Sequence, residues 1–279
     1  MDEIWKTFGH QNVKSILDRQ IIAQKFSHAY LFSGSSGLGK KTLALEFAQK
    51  VLGAEKLSTH PDFAILDEPG EITVERILDF IEKLSYKPFL AKKKIAIINN
   101  AQNLNQQSGN ALLKTLEEPS PSSIIILLAN SARILPTIVS RCQRLSFSPF
   151  GKKQMEEFAR KNQLGPNRSL EDLSFGRPAR LKKLAEDEGF LLGEEEAVGQ
   201  YKDLEKMRLG EKLNSVSGLA ELETEDLERK LWTWLMWQSG QLANHPHDFV
   251  KVSALMDSIK GLKQNKNKKL ILQGLLLKI

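Results

Sequence analysis

The stretch from Tyr30 to Phe47, Tyr-Leu-Phe-Ser-Gly-Ser-Ser-Gly-Leu-Gly-Lys-Lys-Thr-Leu-Ala-Leu-Glu-Phe, constrains this chain more than any other. Ala29 to Phe32 reads as a short buried strand. A loop with Gly34, Gly37 and Gly39 follows, and Leu43, Ala44, Phe47, Ala48 and Val51 then recur at helical spacing. Strand, glycine-rich loop and helix together suit phosphate: the loop turns backbone N–H groups inward, and the helix N-terminus adds partial positive charge. Gly34, Gly39 and Lys40 stand at the spacing of G-x-x-x-x-G-K, after which a Ser or Thr normally ligates Mg²⁺. Here that residue is Lys41. Thr42 comes one place late, roughly 100° round the helix, and cannot simply replace it. By itself the fragment would also serve plain packing of a strand on a helix.

The chain has 279 residues, 41% of them hydrophobic and 27% charged, which suits a packed fold of two or three domains. One cysteine excludes a disulfide framework and a four-cysteine zinc site within the chain, and fits a reducing, cytoplasmic setting. The N-terminal residues show no signal pattern, and the longest apolar run, Ile124 to Ala129, is far too short to span a bilayer. A formal charge of +6 permits attraction to nucleic acid without requiring it.

In chain order, residues 11–25 read as an amphipathic helix, and His28 as a turn or strand-edge residue. Phe63 to Leu66 is strand-like. Thr73 is placed to cap a helix carrying Val74, Ile77, Leu78, Ile81 and Leu84. Lys92, Lys93 and Lys94 read as a solvated approach to the buried strand Ile95 to Ile98. A helix with Leu112, Leu113 and Leu116 stops at Pro119. Ile124 to Leu128 is a further strand, Ile134 to Val139 a short helix, and Leu145 and Phe147 mark a last strand. This alternation implies a parallel sheet covered on both faces.

Beyond Pro149 only helices are expected. One follows Lys152, one is capped by Ser169, and one opens at Gly176-Arg177-Pro178-Ala179. Acidic Glu186 to Glu196, with Gly189 and Gly193, reads as a linker. Helices then cover 201–213, 226–242, 249–262 and 268–277. Trp232, Trp234 and Trp237 read as the face of an intrachain core, with a share in an interface left open, and the lysines at 260, 263, 266, 268 and 269 read as a solvated face rather than a phosphate contact.

In a nucleotide-hydrolysing loop protein, a buried strand ends in an Asp for Mg²⁺, with a Glu beside it to activate water. The strand Ile95 to Ile98 ends instead in Asn99-Asn100. An amide cannot act as a general base and is only a feeble Mg²⁺ ligand. With Lys41, three parts of one hydrolytic site have changed.

His28 to Gly34, His60-Pro61-Asp62, Asn110 to Pro119 and Leu135 to Cys142 closely resemble bacterial clamp-loader subunits, the AAA+ family of the DNA polymerase III gamma/tau and delta-prime subunits. The resemblance covers most of the first 150 residues; past Pro149 it rests on residues 176–180 and the helical layout. It implies an α/β fold: an AAA+ sheet domain over 1–149 with a degenerate site, a helical lid over 150–190 and an all-α collar over 191–279. The altered Lys41, Asn99 and Asn100 are similar to the delta-prime branch. The resemblance also implies partners: gamma/tau and delta subunits, with the sliding clamp and primed DNA reached through the assembly and no membrane. It implies no zinc, since the four-cysteine insertion of many relatives is missing, and weak or no ATP binding at Gly34, Gly37, Gly39, Lys40, Lys41 and Thr42. Arg141, within Ser140-Arg141-Cys142, matches the family's arginine that reaches a neighbour's ATP. The family's second sensor arginine would fall near Ala179, so Arg180 is not assigned that role, and Cys142 reads as a small buried hydrophobe. The alternative is a self-sufficient ATPase of the gamma/tau type, using Lys40 and a displaced Thr42.

Overall fold

The computed structural model describes residues 5–68, 70–130, 134–165, 168–242 and 245–279. They form two units: Met1–Gln154 together with Arg177–Ala179, and Met155–Gly176 together with Arg180–Ile279.

The first unit is built on five parallel strands, β1 (Ala29–Ser33), β2 (Phe63–Leu66), β3 (Lys94–Ile98), β4 (Ser123–Ala129) and β5 (Gln143–Ser146), in the order β2-β3-β4-β1-β5. The central strands are near-continuous apolar runs because both faces are covered. Tyr30, Phe32, Ile95, Ile97, Ile124, Ile126 and Leu128 pack with Val13 and Leu17 of α1 (Gln11–Ala23) and with Leu43 and Phe47 of α2 (Lys40–Leu52). Ala29, Leu31, Ala96, Ile98, Ile125 and Leu127 pack with Ile77, Phe80 and Leu84 of α3 (Val74–Ser85) and with Leu112 and Leu116 of α4 (Gln106–Glu117). The expected two-faced parallel sheet is borne out.

Local differences have physical causes. The short helix α5 covers only Pro136–Val139, opening at a proline whose missing N–H costs nothing there. Phe147 lies just past β5. Thr73 occupies the N-cap position of α3, but its hydroxyl makes no bond to the helix backbone. The lysine run is not a solvated approach. Lys94 is buried and opens β3, its Nζ donating to the Lys83 carbonyl (2.8 Å), while Lys93 Nζ donates to the Pro121 carbonyl (2.7 Å). Only Lys92 of the three is fully exposed.

The helices after the sheet are α6 (Lys152–Lys161), α7 (Arg168–Ser174), α8 (Pro178–Glu186), α9 (Glu188–Lys206), α10 (Leu209–Glu221), α11 (Thr224–Gln241), α12 (Phe249–Lys263) and α13 (Lys268–Leu276). Ser169 falls inside α7, its side chain outside the described residues. The expected linker at 186–196 is a helix: Asp187 caps α9 by accepting from the Phe190 N–H (2.9 Å), and the helix runs unbroken past residue 190. Glu194, Ala197, Val198, Tyr201 and Leu204 are all buried, and that helical stripe outweighs the two glycines. The helix expected over 201–213 is broken at Met207, where α9 ends, and α10 restarts with Glu211 accepting from the Arg208 N–H (2.9 Å). Trp234 and Tyr201 are fully buried with ring centroids 5.5 Å apart, and the Trp234 indole donates to the Ala197 carbonyl (2.7 Å). Trp232 is 42% exposed, and Trp237 lies partly covered beneath Lys202.

Candidate functional site

The glycine loop joins β1 to α2 at the C-terminal end of the sheet. A Cβ on Gly34 would collide with the Phe147 carbonyl, and Gly39, the N-cap of α2, sits at φ 83°, a conformation that side chains strain. Lys40 is folded into the loop, 6% exposed, its Nζ donating to the carbonyls of Gly34 and Ser35 at 2.7 Å each. Burial, seconded by the Arg177 guanidinium, pulls its pKa down to about 8. Arg177, unassigned from the sequence, thus adds positive charge beside the loop, and its neighbour Ala179 donates its N–H to the Gly37 carbonyl (3.2 Å). His10 bonds the Leu38 carbonyl through Nε2 (2.8 Å), and burial lowers its pKa. Glu46 of α2 accepts from the N–H of Lys6 and from the N–H and hydroxyl of Thr7, anchoring the helix below the loop. Thr42 is exposed.

Lys41 is paired with Asp67, which lies just past β2. Asn99 donates from Nδ2 to the other oxygen of the same carboxylate (2.6 Å), and its N–H continues the ladder to the Leu66 carbonyl (2.8 Å). The Lys41 bond, then the Asn99 bond, hold the Asp67 carboxyl below the usual range. Asn100 sits at φ 53° and accepts from the Asn130 side chain at the end of β4 (3.0 Å). The structure therefore brings Lys41 and Asn99 onto one carboxylate. Asp67 escaped the sequence reading; its only signal was an acid directly after an edge strand. A divalent cation does not fit this donor set, because an ammonium already neutralises the one carboxylate and the neighbours are amides. Among the described residues, no group of three or more His, Cys, Asp or Glu side chains is placed to hold a metal ion.

Arg141 stands apart from the loop. Its Nη2 pairs with Glu117 at the end of α4 (2.6 Å), and its Nη1 donates to the Thr137 carbonyl (2.9 Å). One third of the side chain is exposed. Burial raises the Cys142 thiol to about 12, so it is not a ready thiolate. Arg180 is engaged within the second unit: it pairs with Glu194 (2.5 Å), donates to the Leu173 carbonyl (2.8 Å) and lies over Phe175 and Phe190. Of the C-terminal lysines, Lys263 pairs with Glu228 (2.9 Å) and Lys268 donates to the Leu222 carbonyl (2.8 Å).

The family model described as DNA polymerase III, delta subunit, matches residues 9–151, about half the chain. The chain belongs to this family. It is 32% identical over 183 residues to the DNA polymerase III subunit delta′ of Pseudomonas aeruginosa, covering 57% of the chain and 56% of that protein. To the delta′ subunit of Bacillus subtilis it is 33% identical over 172 residues, 55% of the chain and 52% of the relative. The tau subunit of Bacillus subtilis matches at 34% over 156 residues, half of this chain and 28% of that one. The matched stretch thus spans about half or less of these relatives. Among solved structures, a DNA polymerase III gamma subunit-related protein of Thermotoga maritima aligns with a TM-score of 0.52 at 22% identity, covering 94% of this chain and 97% of that one. The RuvB Holliday junction branch migration motor of the same organism aligns at 0.51 and 16% identity, over 95% and 88%. These two share the fold, an AAA+ sheet unit followed by helices. No described helix is long and apolar enough to cross a membrane.

Proposed function

We propose that this family member is a non-hydrolysing subunit of a bacterial clamp loader in the cytoplasm. In this reading it holds the assembly together and lends Arg141 to the ATP site of a neighbouring gamma/tau subunit while the sliding clamp is placed on primed DNA. In this reading the collar (191–279) lies within the second unit, and the lid (150–190) does so apart from residues 150–154 and 177–179, which belong to the first. The observation that carries the reading is the Lys41–Asp67–Asn99 cluster: the loop keeps its glycine geometry, while the groups that would manage Mg²⁺ are tied to one another. No zinc is required, and ATP is held weakly or not at all.

Arg141 is suited to the trans role because a guanidinium keeps its charge and grips phosphate oxygens with a planar fork. An arginine finger in the well-studied GTPases contributes on the order of 10³–10⁵ in rate. Its ion pair with Glu117 is partly exposed and weak enough to exchange for a phosphate. The test is reconstitution with gamma/tau and delta: Arg141→Ala leaves assembly intact and lowers the clamp- and DNA-stimulated ATPase. Failure to co-assemble would overturn the reading itself. Robust hydrolysis by the isolated chain, lost in Lys40→Ala, would favour a self-sufficient ATPase.

A further inference from the structure

At the N-terminal end of the sheet, the last turns of α3 and α4 wall a cleft of about 370 Å³ that is lined also by His28, before β1, and by Ile125 of β4. That volume lies within the roughly 300–1,000 Å³ of small-molecule sites. Ile81 and Leu84 of α3, with Ile125, give the cleft an apolar body. Polar groups without partners edge it. His28 leaves its Nε2 buried with no hydrogen-bond partner. Native chains rarely strand such an atom, and a ligand group can supply the missing partner. Lys114 and Glu118 lie one turn apart at the end of α4, both exposed, yet their side chains pair neither with each other nor with any other described residue. On α6 Glu157 and Lys161, also four apart, do pair (3.5 Å). On α4 the lysine precedes the glutamate, which is the weaker order on a helix, so both charges stay available.

We propose that this cleft binds a free amino acid with a branched aliphatic or aromatic side chain. Its carboxylate sits between Lys114 and His28, its ammonium on Glu118, and its side chain against Ile81, Leu84 and Ile125. Charge selects this occupant. A ligand of one sign leaves either Lys114 or Glu118 without a partner in the bound state. An internal peptide segment carries neither charge on its backbone. Nucleotides and other phosphate esters are disfavoured, because Glu118 and the C-terminal ends of two helices, each partially negative, meet at the cleft. Those same helix ends favour the ammonium. The apolar walls ask for a larger side chain than glycine offers. The glycine loop follows β1 whereas His28 precedes it, so this cleft and the loop stand at opposite ends of the sheet. The site is independent of the clamp-loader reading and goes beyond it.

The experiment is calorimetric titration of the full chain with L-leucine and L-phenylalanine. Beside them run isoamylamine and phenethylamine, which lack the carboxylate, and isocaproate and hydrocinnamate, which lack the amine. At least one of the two amino acids should bind with a millimolar or tighter Kd, and glycine should not. Each single-charge analogue should bind at least tenfold more weakly than its parent amino acid. Lys114→Ala and Glu118→Ala should each weaken binding at least tenfold with unchanged melting curves, since both side chains are exposed. His28→Phe should weaken it severalfold, and Ile81→Trp, which fills the cleft, should abolish it. No binding of either amino acid, analogues that bind as well as their parents, or unchanged affinity in Lys114→Ala and Glu118→Ala would overturn the proposal. The clamp-loader reading stands or falls separately, because none of these measurements uses its partners.

Discussion

Lys41 of the glycine loop and Asp67 after β2 form an ion pair in which the ammonium stands in sequence where the metal-binding hydroxyl belongs. Asn99 fastens the same carboxylate from β3, so the end of the sheet is neutralised by the chain itself. Lys41 and Asn99 thus meet on the two oxygens of one carboxylate.

Steady-state hydrolysis of ATP by the purified chain should therefore not exceed a buffer control, and Lys40→Ala should change nothing. Replacing Lys41 by Thr alone should not restore turnover, since Asn99 and Asn100 still provide no base. A rate that survives repurification and disappears in Lys40→Ala would refute this.

Nucleotide binding should be weak for the same reason. A ligand at a hundredfold excess over Kd stabilises by about 2.7 kcal/mol, which a melting scan detects readily. Micromolar ATP, with or without Mg²⁺, should leave the melting temperature within about 1 °C of the free chain, far below the several degrees expected from about 2.7 kcal/mol. A clear rise would mean that the loop is a working site.

Lys40 supplies a pH test of its buried position. Its pKa falls from 10.5 unfolded to about 8 folded. Below pH 8 both states carry the proton and the full cost of burying the charge is present. Between pH 8 and 10.5 the unfolded chain holds the proton and the folded chain does not, so this group makes stability rise with pH, by up to about 3 kcal/mol. The difference in unfolding free energy between wild type and Lys40→Met should narrow over that window, measured by urea titration at pH 7, 8, 9 and 10. A constant difference would place Lys40 in solvent.

Arg180 and Glu194 form a pair in which Glu194 is almost fully buried and also accepts from the Thr233 hydroxyl (2.5 Å). Removing one partner strands the other. Arg180→Ala should destabilise the chain by about 3 kcal/mol, as breaking a buried pair typically does. Arg180→Met/Glu194→Leu, which removes both charges and keeps volume, should recover much of that loss. Equal destabilisation by the single and double variants would show that the pair does not act as a unit.

The strands were legible because β1, β3 and β4 are apolar runs punctuated by glycine, asparagine and proline, and such runs have few other places to go. The loop was legible because Gly34, Gly39 and Lys40 keep a fixed spacing. Asp67 was not, since a single acid after a strand has no periodicity and acquires meaning only when Lys41 and Asn99 meet it in space. Residues 188–196 misled for a different reason: Gly189 and Gly193 lower local helix propensity, yet tertiary burial from Glu194 to Leu204 decides the outcome. The lysine run at 92–94 hid a similar split, because long side chains reach carbonyls that sequence alone does not bring near.

Arg141 gives the sharpest functional test. In the free chain its guanidinium is held by Glu117 and the Thr137 carbonyl, a resting place rather than a core position, since one third of it remains exposed. Reaching a neighbour's phosphate would require exchanging Glu117 for that anion, and an exposed pair is worth only about 0–1 kcal/mol. Arg141→Ala should accordingly leave the melting temperature nearly unchanged and preserve assembly with gamma/tau by gel filtration. The assembled variant should show a partial fall in clamp- and DNA-stimulated ATPase, because one site among several loses its finger, and a larger fall in clamp loading. Glu117→Gln separates the two roles: it releases the arginine without removing it, so stimulated ATPase should hold or rise. If Arg141→Ala leaves both ATPase and loading untouched in a fully assembled complex, the Glu117 ion pair is the arginine's whole task and the trans role must be abandoned.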